Sequence, residues 1–265
     1  MTTLVAPVAD PGSRLRRLNP VAKLGAALLP VLVLVPTIDP VTPAVLLLAV
    51  LLAVPAGGLR LGPFARRTWF LVPAGLLVGV TNVLFADVPG GRVLLDAGPL
   101  HVTTTAAWLA LGVVLRVYAV ALPAALAFAT TDVTELADAL VQQLRLPWRF
   151  TLGALAAFRL MPLLLQEWQL IRLARRARGI DAGHNPVASA RLFWSAVFAL
   201  LVGAIRRGVR LATALEARGF GSHARRTHAR RMRMGRADWA LLAATVIVAT
   251  GAVTASVVLG TWRGA

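Results

Sequence analysis

The chain has 265 residues, 58% of them hydrophobic, at a mean hydropathy of +0.73, which excludes an ordinary soluble domain. It has no cysteine, which excludes a disulfide framework or a thiolate metal site. Its formal charge of +17 comes from arginines and one lysine, Lys23; Leu24 follows that lysine, so there is no G-x-x-x-x-G-K-[ST] phosphate loop and the chain is not expected to hydrolyse ATP itself.

The first ten residues lack a basic segment and an apolar core, so no cleavable signal peptide is expected. Five apolar segments follow, at about 20–38, 43–59, 69–86, 105–129 and 239–260. Each is near the ~20 residues that a ~30 Å hydrocarbon layer requires. Trp239 and Trp262 bracket the last as interfacial anchors. Arginine placement sets the expected orientation. The tail (Arg14, Arg16, Arg17, Lys23) and the second-to-third connection (Arg60, Arg66, Arg67) should be cytosolic. The connection from Asp87 to Thr104 holds Asp87, Asp96 and only Arg92, and should face out.

Residues 130–237 carry 18 arginines and 6 acids in one block, expected in the cytosol. Its apolar run 192–205, flanked by Arg191 and Arg206, has only 14 residues, which suits a buried or interfacial helix better than a span. Were it to cross, the ten arginines from Arg206 to Arg236 would be carried outside. The block reads as helices. Thr131-Asp132, with Glu135 at the position a capping box uses, is expected to cap a short helix from Val133 to Leu144. Pro147 opens a second that ends at Arg178-Gly179, with Pro162 inside it. Asn185-Pro186 opens a third that ends at Arg218-Gly219. Residues 222–236 read as an arginine-dense loop.

The two long helices share an ending, Ala177-Arg178-Gly179 and Ala217-Arg218-Gly219. Glycine permits the left-handed turn that closes a helix, and a cation in the last turn suits the helix dipole. Ordinary helix ends therefore account for either motif alone. Two such ends on adjacent long helices suggest more. An arginine fork takes a carboxylate in two bonds, and flanking Ala and Gly let a partner backbone approach.

With these motifs the chain resembles the transmembrane (T) component of energy-coupling factor transporters, the group that includes the cobalt-transport Q proteins. Supporting stretches are Leu18-Asn-Pro-Val-Ala-Lys23, residues 130–140 before Leu146-Pro147, and Phe158-Arg-Leu-Met-Pro162 with Glu167. The resemblance implies a scaffold in the bacterial plasma membrane, standing on two cytosolic ABC-type ATPase subunits. Each ATPase would receive one arginine motif, and a separate S component would bind a vitamin or transition-metal ion. Ala177, Arg178, Gly179, Ala217, Arg218 and Gly219 match the docking motifs; Arg175, Glu216 and Glu167 stand as supporting residues. The expected fold is an all-α integral membrane protein, with about five transmembrane helices plus a cytosolic helical coupling module with two long crossing helices. Residues 1–129 hold the tail and four spans, 130–237 the module and 238–265 the last span.

Other candidates carry less. Arg116 lies within the fourth span, where a charge is a functional candidate by default; its alternative role is to bond backbone inside the bundle, and Asn82 is the expected polar partner. The histidines His101, His184, His223 and His228 do not make a metal spacing, and no cofactor is expected. The apolar stripes Leu164, Trp168, Ile171 and Phe193, Val197, Leu200, Leu201, Ala204 read as mutual packing with partial exposure, or as a platform for an S component. A membrane enzyme acting on lipid phosphates would need an acid cluster, and Asp132, Glu135 and Asp138 are a thin one. A self-sufficient permease would need a polar path that these spans lack. The basic block more plausibly meets anionic lipid and protein than a specific nucleic acid. The sequence carries no reading of the transported substrate.

Overall fold

The computed structural model describes residues 13–85, 93–97, 100–183, 185–220 and 231–262. Nine helices occur among them: α1 (Pro20–Leu34), α2 (Val41–Ala56), α3 (Leu61–Thr68), α4 (Leu71–Phe85), α5 (Thr104–Thr130), α6 (Val133–Gln143), α7 (Trp148–Ala177), α8 (Pro186–Ala217) and α9 (Arg236–Val258). A short antiparallel hairpin, β1 (Val93–Ala97) with β2 (Leu100–Thr103), precedes α5. The chain divides into two compact units: 1–145 with 232–265, and 146–231. Helix α6 belongs to the first.

In the first unit, α4 packs on α5, while α1 and α2 each pack on both α5 and α9. Between apolar helices in lipid, close packing rather than water exclusion supplies the attraction, so small residues gather at the seams. Leu34 and Leu46 meet Ala119, Ala249 and Ala252 at one such seam. Gly75 plays the same part between α4 and α5, where any side chain would collide with the Tyr118 hydroxyl.

All five expected apolar segments are helical, with altered bounds. Helix α1 stops at Leu34, not Ile38, because Pro36 has no N–H to continue the ladder and its ring clashes with the preceding turn. Helix α2 starts at Val41, where the Asp39 carboxylate accepts bonds from Thr42 N at 2.7 Å and Thr42 Oγ1 at 2.8 Å. The second-to-third connection contains α3, which meets α4 at a 56° bend. By length and composition α5, α8 and α9 are each able to cross a membrane, and α3 with α4 counts as a fourth if the bent pair is one span; α1 and α2 are shorter apolar helices. The length argument against 192–205 falls here. That run is the middle of a 32-residue helix, α8, with a best-window hydropathy of 1.8. The tail before Ser13, residues 86–92 of the third-to-fourth connection and 221–230 of the arginine-dense loop lie outside the described residues.

The stretch 18–23 ties one end of the first unit together. Asn19 caps α1 through Val21 N at 3.0 Å. Its own N–H donates to Asp238 Oδ1 at 2.7 Å, and its amide nitrogen to the Arg233 carbonyl at 3.3 Å. Asp238 is buried in the first turn of α9, and its Oδ2 accepts from Gly235 N at 2.7 Å. One buried carboxylate thus anchors two helix starts, and an anion there also suits the α9 dipole. Replacing Asp238 by Ala leaves the buried Asn19 N–H and the part-buried Gly235 N–H without this acceptor; thermal unfolding in detergent should show a loss of about 1–3 kcal/mol.

Candidate functional site

The second unit is an antiparallel helix pair. Trp148 at the start of α7 meets Phe220 just past α8, edge to face with ring centroids 4.8 Å apart. Midway, Glu167 forms an ion pair with Arg207. Near the other end Arg175 donates to the Leu192 carbonyl at 2.7 Å and to Ser195 Oγ at 2.9 Å. Trp168 packs against Phe193, centroids 5.5 Å apart. The end of α7 therefore lies beside the start of α8, and the end of α8 beside the start of α7. The two Ala-Arg-Gly motifs sit at opposite ends of the pair, separated by roughly one 30-residue helix length, ~45 Å.

The two motifs have one geometry. In α7 the Gly179 N–H donates to the Arg176 carbonyl at 2.9 Å and the Ile180 N–H to the Arg175 carbonyl at 3.0 Å. In α8 the Gly219 N–H donates to the Glu216 carbonyl at 2.9 Å and the Phe220 N–H to the Leu215 carbonyl at 2.9 Å. Each is a full Schellman ending, with an apolar residue after the glycine. It demands a left-handed residue, and Gly179 and Gly219 have φ of +72° and +76°. The last carbonyls are thus bonded by the chain itself, with no call on the adjacent guanidinium. Arg178 and Arg218 are exposed, and neither side chain has a hydrogen-bond or ion-pair partner among the described residues.

The supporting residues divide. Arg175 and Glu167 clamp α7 to α8, whereas the Glu216 side chain is exposed in the last turn of α8, where a carboxylate opposes the helix dipole. Leu164, Trp168 and Ile171 on α7, with Val197, Leu200 and Ala204 on α8, are half-buried, while Phe193 and Leu201 stay exposed. The clamps at Arg175 and Arg207 required knowing the helix register and were not legible as pairs in the sequence.

The intramembrane candidates do not meet each other. Arg116 on α5 reaches the end of α1, where Nη1 donates to the Thr37 carbonyl at 3.1 Å and Nη2 to the carbonyls of Leu34 and Val35. Asn82 instead donates to the Val78 carbonyl of its own helix at 2.9 Å. Asp39 lines the same small cavity of about 20 Å³ as Arg116, between α5 and the 38–40 turn. Arg116 thus serves as a cap for a helix that ends early.

Asp132 is occupied as the cap of α6, accepting from Thr134 N at 2.7 Å and Glu135 N at 3.4 Å. Among the described residues no group of three or more His, Asp and Glu is placed to hold a metal ion. His184, His223 and His228 lie outside the described residues, and His101 is in β2.

The chain matches the cobalt transport protein family, CbiQ, over residues 11–232. The energy-coupling factor transporter transmembrane protein EcfT of Thermosediminibacter oceani is 31% identical to it over 192 residues, 69% of this chain and 72% of that protein. The protein of the same name from Leuconostoc gelidum subsp. gasicomitatum is 29% identical over 71% of this chain and 70% of its own length. EcfT 1 of Listeria monocytogenes is 29% identical over 78% and 79%.

The left-handed glycines give a direct test. Gly179→Ala and Gly219→Ala should each cost about 1–2 kcal/mol through the strained φ. Hydrogen exchange should show this as faster exchange at the amides of 179–180 or 219–220, with the rest of each helix unchanged.

Proposed function

The chain belongs to the CbiQ family of cobalt transport proteins, and from that premise we propose that it is the membrane scaffold of an energy-coupling factor transporter. In this reading it works with two cytosolic ABC-type ATPase subunits and a separate S component that binds the vitamin or metal ion. The scaffold has no chemistry of its own: ATP is hydrolysed on the partners. It resides in the bacterial plasma membrane, with the N-terminus and residues 130–237 in the cytosol. The arginine distribution supports that orientation, since carrying the block across would move 18 arginines outward. It also argues that α8 lies along the interface despite its length.

One observation carries the reading: two identical Schellman-ended helices present guanidiniums, unpartnered among the described residues, at the two ends of one clamped pair. Two equivalent ATPases need two equivalent sockets, and a separation of ~45 Å lets each take one tip. Each arginine gains ~1.5–3 kcal/mol if it meets a carboxylate by charge-assisted bonds. Nucleotide-driven movement of the ATPases then biases the pair, because the tips make different contacts in the two states. Exposed Leu163, Leu170, Trp194 and Phe198 give the pair an apolar surface on which an S component can rest.

Co-expression with the ATPases and an S component tests this. Arg178→Ala and Arg218→Ala should each weaken ATPase retention about tenfold or more, and the double variant should lose both ATPase co-purification and uptake. Thermal stability should stay at the wild-type value, because neither guanidinium has a bond to another side chain or carbonyl among the described residues. Unchanged co-purification and uptake in the double variant would remove the docking role.

A further inference from the structure

The second unit holds a pocket of about 300 Å³ between the C-terminal part of α7 and the start of α8. Arg172, Arg175 and Arg176 line it. Arg172 is three and four residues from the other two, so α7 gathers three like charges on one face, an arrangement that repels itself. Arg175 is held there by its bonds to the Leu192 carbonyl and Ser195 Oγ. Arg172 and Arg176 are exposed, and neither side chain has a hydrogen-bond or ion-pair partner among the described residues. One carboxylate, Asp181, shares the pocket. Its Oδ1 accepts from Ala182 N at 2.8 Å, and it forms no ion pair among the described residues. Three guanidiniums against one carboxylate leave the pocket basic, and the oxygens of a phosphate fit the fork of each free arginine.

The surroundings favour a lipid as the source of that phosphate. Phe158, Met161 and Leu165 on α7 are all exposed. From Phe158 through Met161, Leu165 and Arg172 to Arg176 the successive separations are three, four, seven and four residues, so all five share one face of the helix. The exposed Phe193, packed on Trp168, lines the pocket from α8. A helix face that is apolar along its length and basic at one end suits the membrane surface: the apolar side chains enter the acyl region and the arginines stay at the level of the phosphates. A carboxylate on a soluble partner would leave the apolar stretch beside it uncovered.

We propose that this pocket is a headgroup site for an anionic phospholipid, whose phosphate takes the Arg172 and Arg176 guanidiniums while Phe158, Met161 and Leu165 sit in the acyl region of the same leaflet. The occupant relieves the repulsion among the three arginines and fixes the α7 end of the helix pair against the membrane. Arg178 does not line the pocket, so the site is separate from the proposed docking role.

The full chain in neutral-detergent micelles, titrated with a fluorescent phosphatidylglycerol, tests the proposal. Saturable binding is expected. Arg172→Gln combined with Arg176→Gln should weaken it about tenfold or more, as loss of charge-assisted bonds requires, with thermal unfolding unchanged. Arg206→Gln combined with Arg210→Gln removes the same charge at the same spacing from exposed positions on α8 outside the pocket, and should bind as wild type. Arg178→Ala should also bind as wild type. Asp181→Asn should bind more tightly, because Asn keeps an oxygen for Ala182 N and removes the opposing charge. Equal weakening in the two double variants would mean a diffuse basic surface and refute the site. Displacement of the probe by equimolar inorganic phosphate would name free phosphate instead of lipid and refute it too. So would a double variant at Arg172 and Arg176 that loses ATPase co-purification but binds the probe as wild type, since that outcome names a protein partner.

Discussion

A helix that ends inside an apolar layer leaves its last carbonyls without partners, and no water is there to take them. The first unit meets this constraint at the end of α1 with a borrowed cation, and closes the end of α5 in the same way. Pro36 stops α1 after 15 residues, a rise of ~22 Å, short of the hydrocarbon thickness. Arg116, from the middle of α5, donates to the carbonyls of Leu34, Val35 and Thr37. At the opposite end Lys23, from α1, bonds the terminal carbonyl of α5 at Thr130. Each helix thus closes the other's end. The antiparallel arrangement of α1 and α5 is what brings both cations within reach, and both sit where the helix dipole favours positive charge.

The second unit solves the same problem without spending a side chain. Its Schellman endings bond the carbonyls of Arg175, Arg176, Leu215 and Glu216 from within the backbone, with no call on the arginine at either cap. This sorts the arginines by what they already hold. Arg116 is bound to carbonyls, Arg175 to Leu192 and Ser195, and Arg207 to Glu167. Arg178 and Arg218 hold nothing among the described residues. In a chain with so many arginines, exposure at the tip of a helix with no partner among the described residues is the property that supports the proposed docking role for these two.

What was legible in the sequence was local. Asn185-Pro186, Asp132 with Glu135, and the two Arg-Gly pairs mark helix boundaries within one or two residues, because a cap is satisfied by atoms three or four positions away. What escaped was anything set by a distant segment. Asn82 was the expected partner of Arg116 because both are polar in spans; the real partners are carbonyls, which no side-chain pattern reveals. The early end of α1 is signalled by Pro36, which the expected segment 20–38 ran past. Helix α3 was hidden because its eight residues read as a basic connection, although Phe64 is buried beneath Arg66 and Arg67. The 192–205 run was measured between its arginines, whereas the helix continues through both of them.

The clamps between α7 and α8 bear on how a force at the tips would travel. The helices are fastened near both ends and in the middle, by Trp148 with Phe220, Glu167 with Arg207, and Arg175 with Ser195. A pair held at three levels cannot lengthen, and one helix cannot slide along the other without breaking a bond at each level. Pushing one tip therefore displaces the other tip as well. Two motors gripping such a pair do not act on independent levers; the state of one is felt at the socket of the other. The ion pair is only part-buried and weak alone, worth ~0.5–1 kcal/mol, so stiffness comes from the three contacts together rather than from any one. Under the proposed docking role, Glu167 and Arg175 would therefore act together with Arg178 and Arg218.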